Sequence, residues 1–281
     1  MLRLKQGDSL HWSTRDNPGI ALIYGEGGGC HIDVADDAAG IWIPLRGALR
    51  LTTRYSTHAL HTGEVVVTTY PVTVQARTHL DSRWLVTLGS HQTWARLLAG
   101  TSAAYRQFLP EQCEANRTLR RQAITLVRAA SAIERNVALR AMADLISELQ
   151  MPLEEVITRC PGRTYAQKRQ VFVRLQRVRT FMATCCEREL DNDLLSRMAS
   201  YSTHHFLYTF KLVYRETPHT YLVKQRLQKA QRLLHESHLA ITEVALASGF
   251  GNLSAFSRLF HQNFGITAKE AKRRLKIGSD S

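Results

Sequence analysis

The pattern of apolar and polar residues changes near residue 91. Before it, short β-branched and apolar runs alternate with breaks rich in Gly, Asp, Ser or His, which is typical of strands. These runs are 20–24, 41–43, 48–52, 65–68 and 84–87. Their regular spacing predicts an antiparallel β-sandwich or barrel.

From residue 91 onward, apolar residues recur at helical spacing. A long succession of amphipathic helices is predicted over residues 116–187. Within it, Pro161 and Gly162 predict a turn, followed by a helix that begins near Thr164. We expect this middle region to be a helical connector or a dimerisation element.

The last ninety or so residues contain an internal repeat, a feature that can reveal the architecture directly. The corresponding segments are 195–201 with 244–250, and 206–210 with 256–260. The offset is 49 residues in the first pair of segments and 50 in the second, so the second copy has one extra residue in its turn. The repeat predicts two helix-turn-helix units, at about 191–214 and 240–264.

Each copy has small residues where two helices must cross and turn. Ser196 or Ala245 lets the first helix approach the second closely, and Ser200 or Gly249 lies where the chain turns sharply. Two phenylalanines one helical turn apart then bury one face of the second helix. Its opposite face is the one that a helix-turn-helix inserts into the major groove.

The exposed positions of these two helices are the candidate DNA-binding residues. Arg258 has the forked guanidinium that pairs with guanine O6 and N7, and Ser254 and Ser257 can reach a base edge or a phosphate. The full set is His204, His205, Leu207, Tyr208 and Lys211 in the first unit, and Leu253, Ser254, Ser257, Arg258 and His261 in the second.

Between the copies, residues 218–234 predict one long helix. Pro218 is acceptable in its first turn, and an apolar stripe follows from Tyr221 to Leu234. A rigid helix would hold the two units at a fixed separation, near one turn of DNA or ~34 Å.

The net charge of +13 is confined to the part of the chain after residue 114. Residues 1–114 hold ten basic and ten acidic side chains, residues 115–187 hold thirteen and six, and residues 188–281 hold fourteen and eight. A localised basic excess is typical of proteins that bind polyanions, because Lys and Arg release the counterions of phosphates.

The C-terminal residues resemble the AraC/XylS family of bacterial transcription regulators. Residues 241–266 follow the signature of the family's second helix-turn-helix unit, and residues 226–234 follow its central helix. The sequence departs from the family at a few positions, with Tyr208 where many members carry Arg, Ser200 where Gly is common, and Ala268 and Ala271 in place of Pro and Tyr.

The resemblance implies a sequence-specific regulator that binds double-stranded DNA and is no enzyme. Because the N-terminal residues lack the apolar stretch of a signal peptide and no apolar run approaches ~18 residues, the protein is expected to be cytoplasmic. In this family a variable N-terminal domain, often a cupin-like β-barrel followed by helices, binds an effector or mediates dimerisation. A small-molecule effector, a second copy of the chain and RNA polymerase are therefore candidate partners, and no membrane is involved.

The expected fold is α+β and multidomain. A cupin-like antiparallel β-barrel over 1–112 would sense an effector or oligomerise, and a helical connector would span 113–187. An all-α DNA-binding domain over 188–281 would carry both helix-turn-helix units.

Two alternatives remain. Cupin-like barrels can be metalloenzymes, and a metal site needs about three converging ligands. The candidates are His11, His31, His58, His61, His79 and His91, with Glu64 beside the pair at 58 and 61. Their spacing favours no metal, cofactor or catalytic site. The second alternative is an architectural protein that binds DNA without regulating a promoter.

Other features predict no chemistry. The glycines of 25–29 favour a hairpin turn over a phosphate loop because a strand follows them. Five scattered cysteines indicate neither a disulfide framework nor a zinc site. The adjacent Cys185 and Cys186 are passive thiols or oxidant sensors, and the first interpretation is favoured.

Overall fold

The computed structural model describes residues 1–35, 38–53, 57–69, 74–78, 81–99 and 108–278, with the backbone alone described at 58, 74, 112, 236 and 274–278. The chain divides into two compact units, Met1–Thr158 and Arg159–Ser281. The segment 113–187 is shared between them.

The described part of the first unit contains eleven strands and four helices. The strands are β1 (Leu2–Leu4), β2 (Ser9–Trp12), β3 (Ala21–Glu26), β4 (His31–Val34), β5 (Ala38–Arg46), β6 (Ala48–Thr53), β7 (Thr57–His61), β8 (Glu64–Thr68), β9 (Val74–Thr78), β10 (Arg83–Ser90) and β11 (Glu111–Glu114). The helices are α1 (His91–Leu98), α2 (Arg117–Arg128), α3 (Ala132–Gln150) and α4 (Pro152–Thr158). All five predicted apolar runs are confirmed as strands.

These strands form two open sheets. The six-stranded sheet has the order β1-β3-β10-β5-β8-β11, and the five-stranded sheet has the order β2-β4-β9-β6-β7. Neither sheet closes on itself in the described ranges. An α+β architecture is therefore confirmed, whereas the closed barrel is replaced by two sheets.

The expectation of purely antiparallel pairing is wrong at the N-terminus. β1 pairs in parallel with β3, and β2 pairs in parallel with β4. The reason is that the chain alternates between the sheets over β1 to β4, so sequence neighbours are not joined by hairpins, which would enforce antiparallel pairing.

The glycine-rich turn after β3 is not a hairpin turn, because β3 and β4 lie in different sheets. Gly27 and Gly29 adopt positive φ, and their N–H groups donate across the fold. Gly27 donates to the Ser82 oxygen at 2.9 Å, and Gly29 donates to the Thr78 oxygen at 3.1 Å. The segment is a crossover between sheets that is fixed by backbone hydrogen bonds.

Side chains of the six-stranded sheet alternate between two cores, as the pleat requires. Trp42, Trp84 and Val86 face the second sheet, whereas Ile41 and Leu85 face the helices. The inter-sheet core contains three fully buried tryptophans, Trp12, Trp42 and Trp84. Gly25 is required there, since a Cβ would lie 2.1 Å from the Trp84 ring.

The helices α1, α2 and α3 cover the other face of the six-stranded sheet. Leu119 of α2 and Met142 of α3 are fully buried in that core, together with Trp94 of α1. Trp94 Nε1 donates to the Ala39 oxygen at 3.1 Å, so α1 is also fixed to β5 by a buried hydrogen bond. The first unit is thus layered as sheet, sheet and helices.

The second unit is all-helical in its described part. Its helices are α5 (Tyr165–Thr184), α6 (Asn192–Ala199), α7 (Thr203–Tyr214), α8 (Pro218–Glu236), α9 (Ile241–Ala247), α10 (Leu253–Phe264) and α11 (Ala268–Gly278). The predicted helix start near Thr164 is confirmed, because Thr164 is the N-cap of α5. Pro218 occupies the first turn of α8, as predicted.

The long helix α8 belongs to both halves of this unit. It contacts α5 and α7, which precede it in the chain, and α9, α10 and α11, which follow it. Tyr221 and Leu222 are buried near its start, and Leu227, Ala230 and Leu234 near its end. At ~1.5 Å per residue its nineteen residues extend over about 28 Å.

None of the helices in the described ranges is long and apolar enough to cross a bilayer.

Candidate DNA-binding surface

The first helix pair, α6 and α7, is joined by a tight turn at Ser200. Ser200 adopts left-handed backbone angles, φ 58° and ψ 46°. The N–H of Tyr201 donates to the Ser196 oxygen at 3.0 Å, which closes the end of α6. The side chain of Ser202 then caps α7 by accepting from the His205 N–H at 3.3 Å.

The second pair, α9 and α10, repeats this geometry. The N–H of Phe250 donates to the Ala245 oxygen at 2.9 Å, and Gly249 has φ +89°. Asn252 caps α10 by accepting from the N–H groups of Ser254 and Ala255. Since these residues lie 49 or 50 positions after their counterparts, the internal repeat is confirmed at the level of hydrogen bonds.

Buried aromatic pairs hold both second helices. The ring centroids of Phe206 and Phe210 are 5.6 Å apart, and those of Phe256 and Phe260 are 5.5 Å apart. A third ring extends each series, with Tyr214 4.7 Å from Phe210 and Phe264 4.6 Å from Phe260. The buried face of each helix is therefore the one that the phenylalanines predicted.

Nine of the ten candidate DNA-binding residues are exposed. They are His204, His205, Tyr208 and Lys211 on α7, and Leu253, Ser254, Ser257, Arg258 and His261 on α10. Leu207 is half-buried, because it lies beside Phe206 on the flank of the buried stripe. The structure thus brings each set together on one helix, away from its aromatic face.

A side-chain network that the sequence did not reveal braces the first turn. Thr203 donates from Oγ1 to Oδ1 of Asp193 at 2.7 Å, and Ser196 Oγ lies 3.3 Å from Thr203 Oγ1. The Ser196 hydroxyl also donates to the backbone oxygen of Asp193 at 3.0 Å. Ser196 therefore does more than provide a small side chain at the crossing.

The junction between the two helix pairs centres on Arg226 of α8. Its Nε donates to the Cys186 oxygen at 2.7 Å, and its Nη2 donates to the Arg188 oxygen at 3.0 Å. Lys229, one turn later, forms an ion pair with Glu187 at 2.9 Å. Burial is the largest single influence on Glu187 and opposes its ionisation. The hydrogen bond from Lys229, a backbone hydrogen bond and the charges of Lys229 and Arg188 together outweigh burial, so the pKa of this carboxyl is lowered.

The thiols beside this junction are buried. Burial is the main cause that raises the pKa of both Cys185 and Cys186. A raised pKa reduces the thiolate fraction, which is the reactive form. The arrangement favours passive thiols over oxidant sensors at these two positions.

The histidines of the first unit whose side chains the structure describes do not form a cluster of ligands. His31 Nε2 contacts Asp33 at 3.2 Å, and the backbone N–H of His61 donates to Glu64. His79 and the side chain of His58 lie outside the described residues. Among the residues that are described, no group of three His, Cys, Asp or Glu side chains could hold a metal ion.

Residues 195–274 match the family model of a helix-turn-helix domain. This part of the chain is a helix-turn-helix domain.

Two curated relatives are each similar to part of the chain. The chain is 36% identical over 94 residues to the HTH-type transcriptional regulator GlxA of Rhizobium meliloti, covering 33% of this chain and 29% of GlxA. It is 37% identical over 57 residues to the HTH-type transcriptional activator RhaS of Shigella boydii, covering 20% of each chain. The chain thus spans less than a third of the length of these curated relatives.

A solved structure is also similar to part of the chain. It is the DNA-binding domain of AdpA, a global transcriptional factor, in complex with a target DNA. The match has 25% identity and a TM-score of 0.36, and it covers 37% of this chain and 94% of that chain.

Proposed function

We propose that this protein is a sequence-specific DNA-binding transcriptional regulator whose AraC-type domain reads two successive major-groove segments. The observation that carries the proposal is the pair of equivalent helices, α7 and α10, on one continuous helix α8. Each presents an exposed polar or basic face and buries its aromatic face. The basic excess of this part of the chain supports binding to phosphates.

Base reading is assigned to the exposed side chains of the two helices. Arg258 is the strongest candidate, because a guanidinium can donate two hydrogen bonds to one guanine. Lys211 suits a phosphate contact, and Ser254 or Ser257 suits either a phosphate or a base edge. Tyr208, with 63% of its surface exposed, offers a ring for contact with a thymine methyl group.

The first unit is proposed to regulate the DNA-binding domain by binding an effector or by oligomerisation. Its two packed sheets suit a cupin-like domain of the double-sheet type. Helices α2 and α3 would mediate a homodimer, since Ile133 and Val137 expose 77% and 65% of their surface one helical turn apart. A promoter-bound regulator would also have RNA polymerase as a partner. Its location would be the cytoplasm.

The proposal is tested with the purified full-length protein and fragmented genomic DNA at ~150 mM salt, which suppresses weak electrostatic binding. We expect enrichment of one motif that spans about two helical turns of DNA. The Arg258→Ala variant is measured in parallel, and it should lose preference for part of the motif. Enrichment without any motif would contradict the proposal and favour the architectural alternative.

A metalloenzyme in the first unit is the weaker candidate. It is checked by metal analysis of the protein after dialysis and by titration with Zn²⁺ in a calorimeter. Stoichiometric binding that is lost in a His31→Ala variant would favour the enzyme.

A further inference from the structure

A surface cleft of about 630 Å³ lies along one edge of the first unit. It is bordered by the β1–β3 edge of the six-stranded sheet and by helices α1 and α3. Leu22 of β3, Leu97 of α1 and Leu139 of α3 form its apolar wall. Its volume is in the range of small-molecule sites, which is ~300–1,000 Å³.

Two arginines border the same cleft. Arg96 is exposed on α1, and Arg135 is partly buried on the first turns of α3. Within the described residues, no carboxylate lines this cleft. A cavity that combines an apolar wall with guanidinium groups and no acidic side chain is complementary to an anion with an apolar body.

A second cavity of about 550 Å³ adjoins the first and shares Arg135 with it. Arg3 and Arg128 also line this cavity, which makes it the basic end of the cleft. Its carboxylate, Glu26, accepts a hydrogen bond from the Tyr24 hydroxyl at 3.3 Å and contacts Arg83 at 3.6 Å. The charge of Glu26 is therefore already balanced by Arg83.

Arg135 is held in place before any ligand arrives. Its Nη1 donates to the backbone oxygens of Ala130, at 3.0 Å, and Ala129, at 3.4 Å. These bonds orient the guanidinium plane, and Nε and Nη2 carry three further N–H donors. A carboxylate can receive two parallel hydrogen bonds from such a fork.

We propose that this cleft binds a small organic monocarboxylate with an apolar body. The carboxylate would bind Arg135 at the junction of the two cavities, and the apolar body would pack on Leu22, Leu97 and Leu139. The space between the sheets is occupied by Trp12, Trp42 and Trp84 instead. The site names an effector class for the proposed regulator, and its regulatory meaning rests on that proposed function.

The test is calorimetric titration of the full-length protein with octanoate and with octanamide, its neutral analogue of the same shape. We expect octanoate to bind at least about tenfold more tightly, as a charge-assisted hydrogen-bond pair implies. Arg135→Gln should weaken octanoate binding by about tenfold or more. Arg96→Gln should also weaken it, and because Arg96 is exposed, this substitution should leave folding intact.

Arg121→Gln is the matched control, because Arg121 is exposed on α2 and does not line either cavity. It should bind octanoate like the wild type. Equal binding of octanoate and octanamide, or unchanged binding by both cleft variants, would overturn the proposal. Motif binding to DNA is measured in parallel, so that loss of the effector site alone leaves the regulator proposal standing.

Discussion

Arg226 of α8 donates from Nε to the backbone oxygen of Cys186, with an N···O distance of 2.7 Å. Through this bond, the helix that carries both helix pairs is fixed to the segment between α5 and α6. Gly249, in the turn of the second pair, lies against the same segment. The relative placement of α7 and α10 therefore depends on a small junction as well as on α8.

Replacement of Arg226 by Lys should destabilise the C-terminal domain by about 1–2 kcal/mol. A lysine keeps the charge but cannot reproduce the fork that reaches the Cys186 and Arg188 oxygens together. Urea unfolding of the full-length protein measures the effect. Arg232→Lys, on the exposed side of the same helix, is the control and should be close to wild type.

Gly249→Ala should cost at least about 2 kcal/mol, because the residue has positive φ and no space for a side chain. A Cβ there would lie 2.8 Å from Glu187 Cα and 2.9 Å from the Cys186 oxygen. Gly251→Ala is the matched control, since a Cβ at Gly251 meets nothing within 4 Å. Equal stability of the two variants would contradict the close approach described here.

The first helix pair uses non-glycine residues in two left-handed positions. Ser200 has φ 58° and Arg215 has φ 61°, whereas the second pair has Gly249 and Gly265 at the equivalent places. Ser200→Gly and Arg215→Gly should each stabilise the domain by about 0.5–1 kcal/mol.

The reciprocal change, Gly265→Ala, should destabilise the domain by about 1 kcal/mol. A Cβ at Gly265 meets nothing within 4 Å, so this cost is conformational. Thermal unfolding of the three variants checks the signs. A loss of stability in both Ser200→Gly and Arg215→Gly would show that the left-handed turns are not strained.

The cysteines should react slowly with iodoacetamide in the folded protein. Burial raises the pKa of Cys113 and Cys160 to about 12, and it also raises the pKa of Cys185 and Cys186. Because only the thiolate is alkylated, the rate at pH 8 should rise many-fold after unfolding. Mass spectrometry resolves each site. Rapid modification of Cys185 or Cys186 in the native protein would contradict this prediction and favour the oxidant-sensor interpretation.

The helix pairs were predictable because small residues and phenylalanines repeat at a constant offset, and local sequence dictates both turns. Even the N-caps Ser202 and Asn252 carry a sequence signal, being Ser or Asn directly before an amphipathic helix. Arg226 was visible within a family motif, but its two backbone acceptors lie about forty residues earlier in the chain. Such long-range contacts leave no local pattern.

The first unit was less predictable for the same reason. Apolar runs predicted β3, β5, β6, β8 and β10, each of which is partly or fully buried. The edge strands β1 and β2 have only three and four residues, which is too short for their alternation of apolar and polar side chains to stand out in the sequence. The glycine-rich turn between β3 and β4 is fixed by hydrogen bonds to the distant residues Ser82 and Thr78. The sequence of the turn alone does not reveal these partners, so it could not show that β3 and β4 lie in different sheets.

In the proposed regulator, α7 and α10 read different parts of one DNA site. The most direct test of this assignment is binding of the wild type, Arg258→Ala and Lys211→Ala to a panel of single-base variants of the enriched motif. For Arg258→Ala we expect the free energy of DNA binding to weaken by about 1–3 kcal/mol. We also expect this variant to lose base preference in one half of the motif only. Lys211→Ala should weaken binding to all sequences alike and reduce the salt dependence. Unchanged affinity and preference for Arg258→Ala would contradict the assignment of α10 as a base-reading helix.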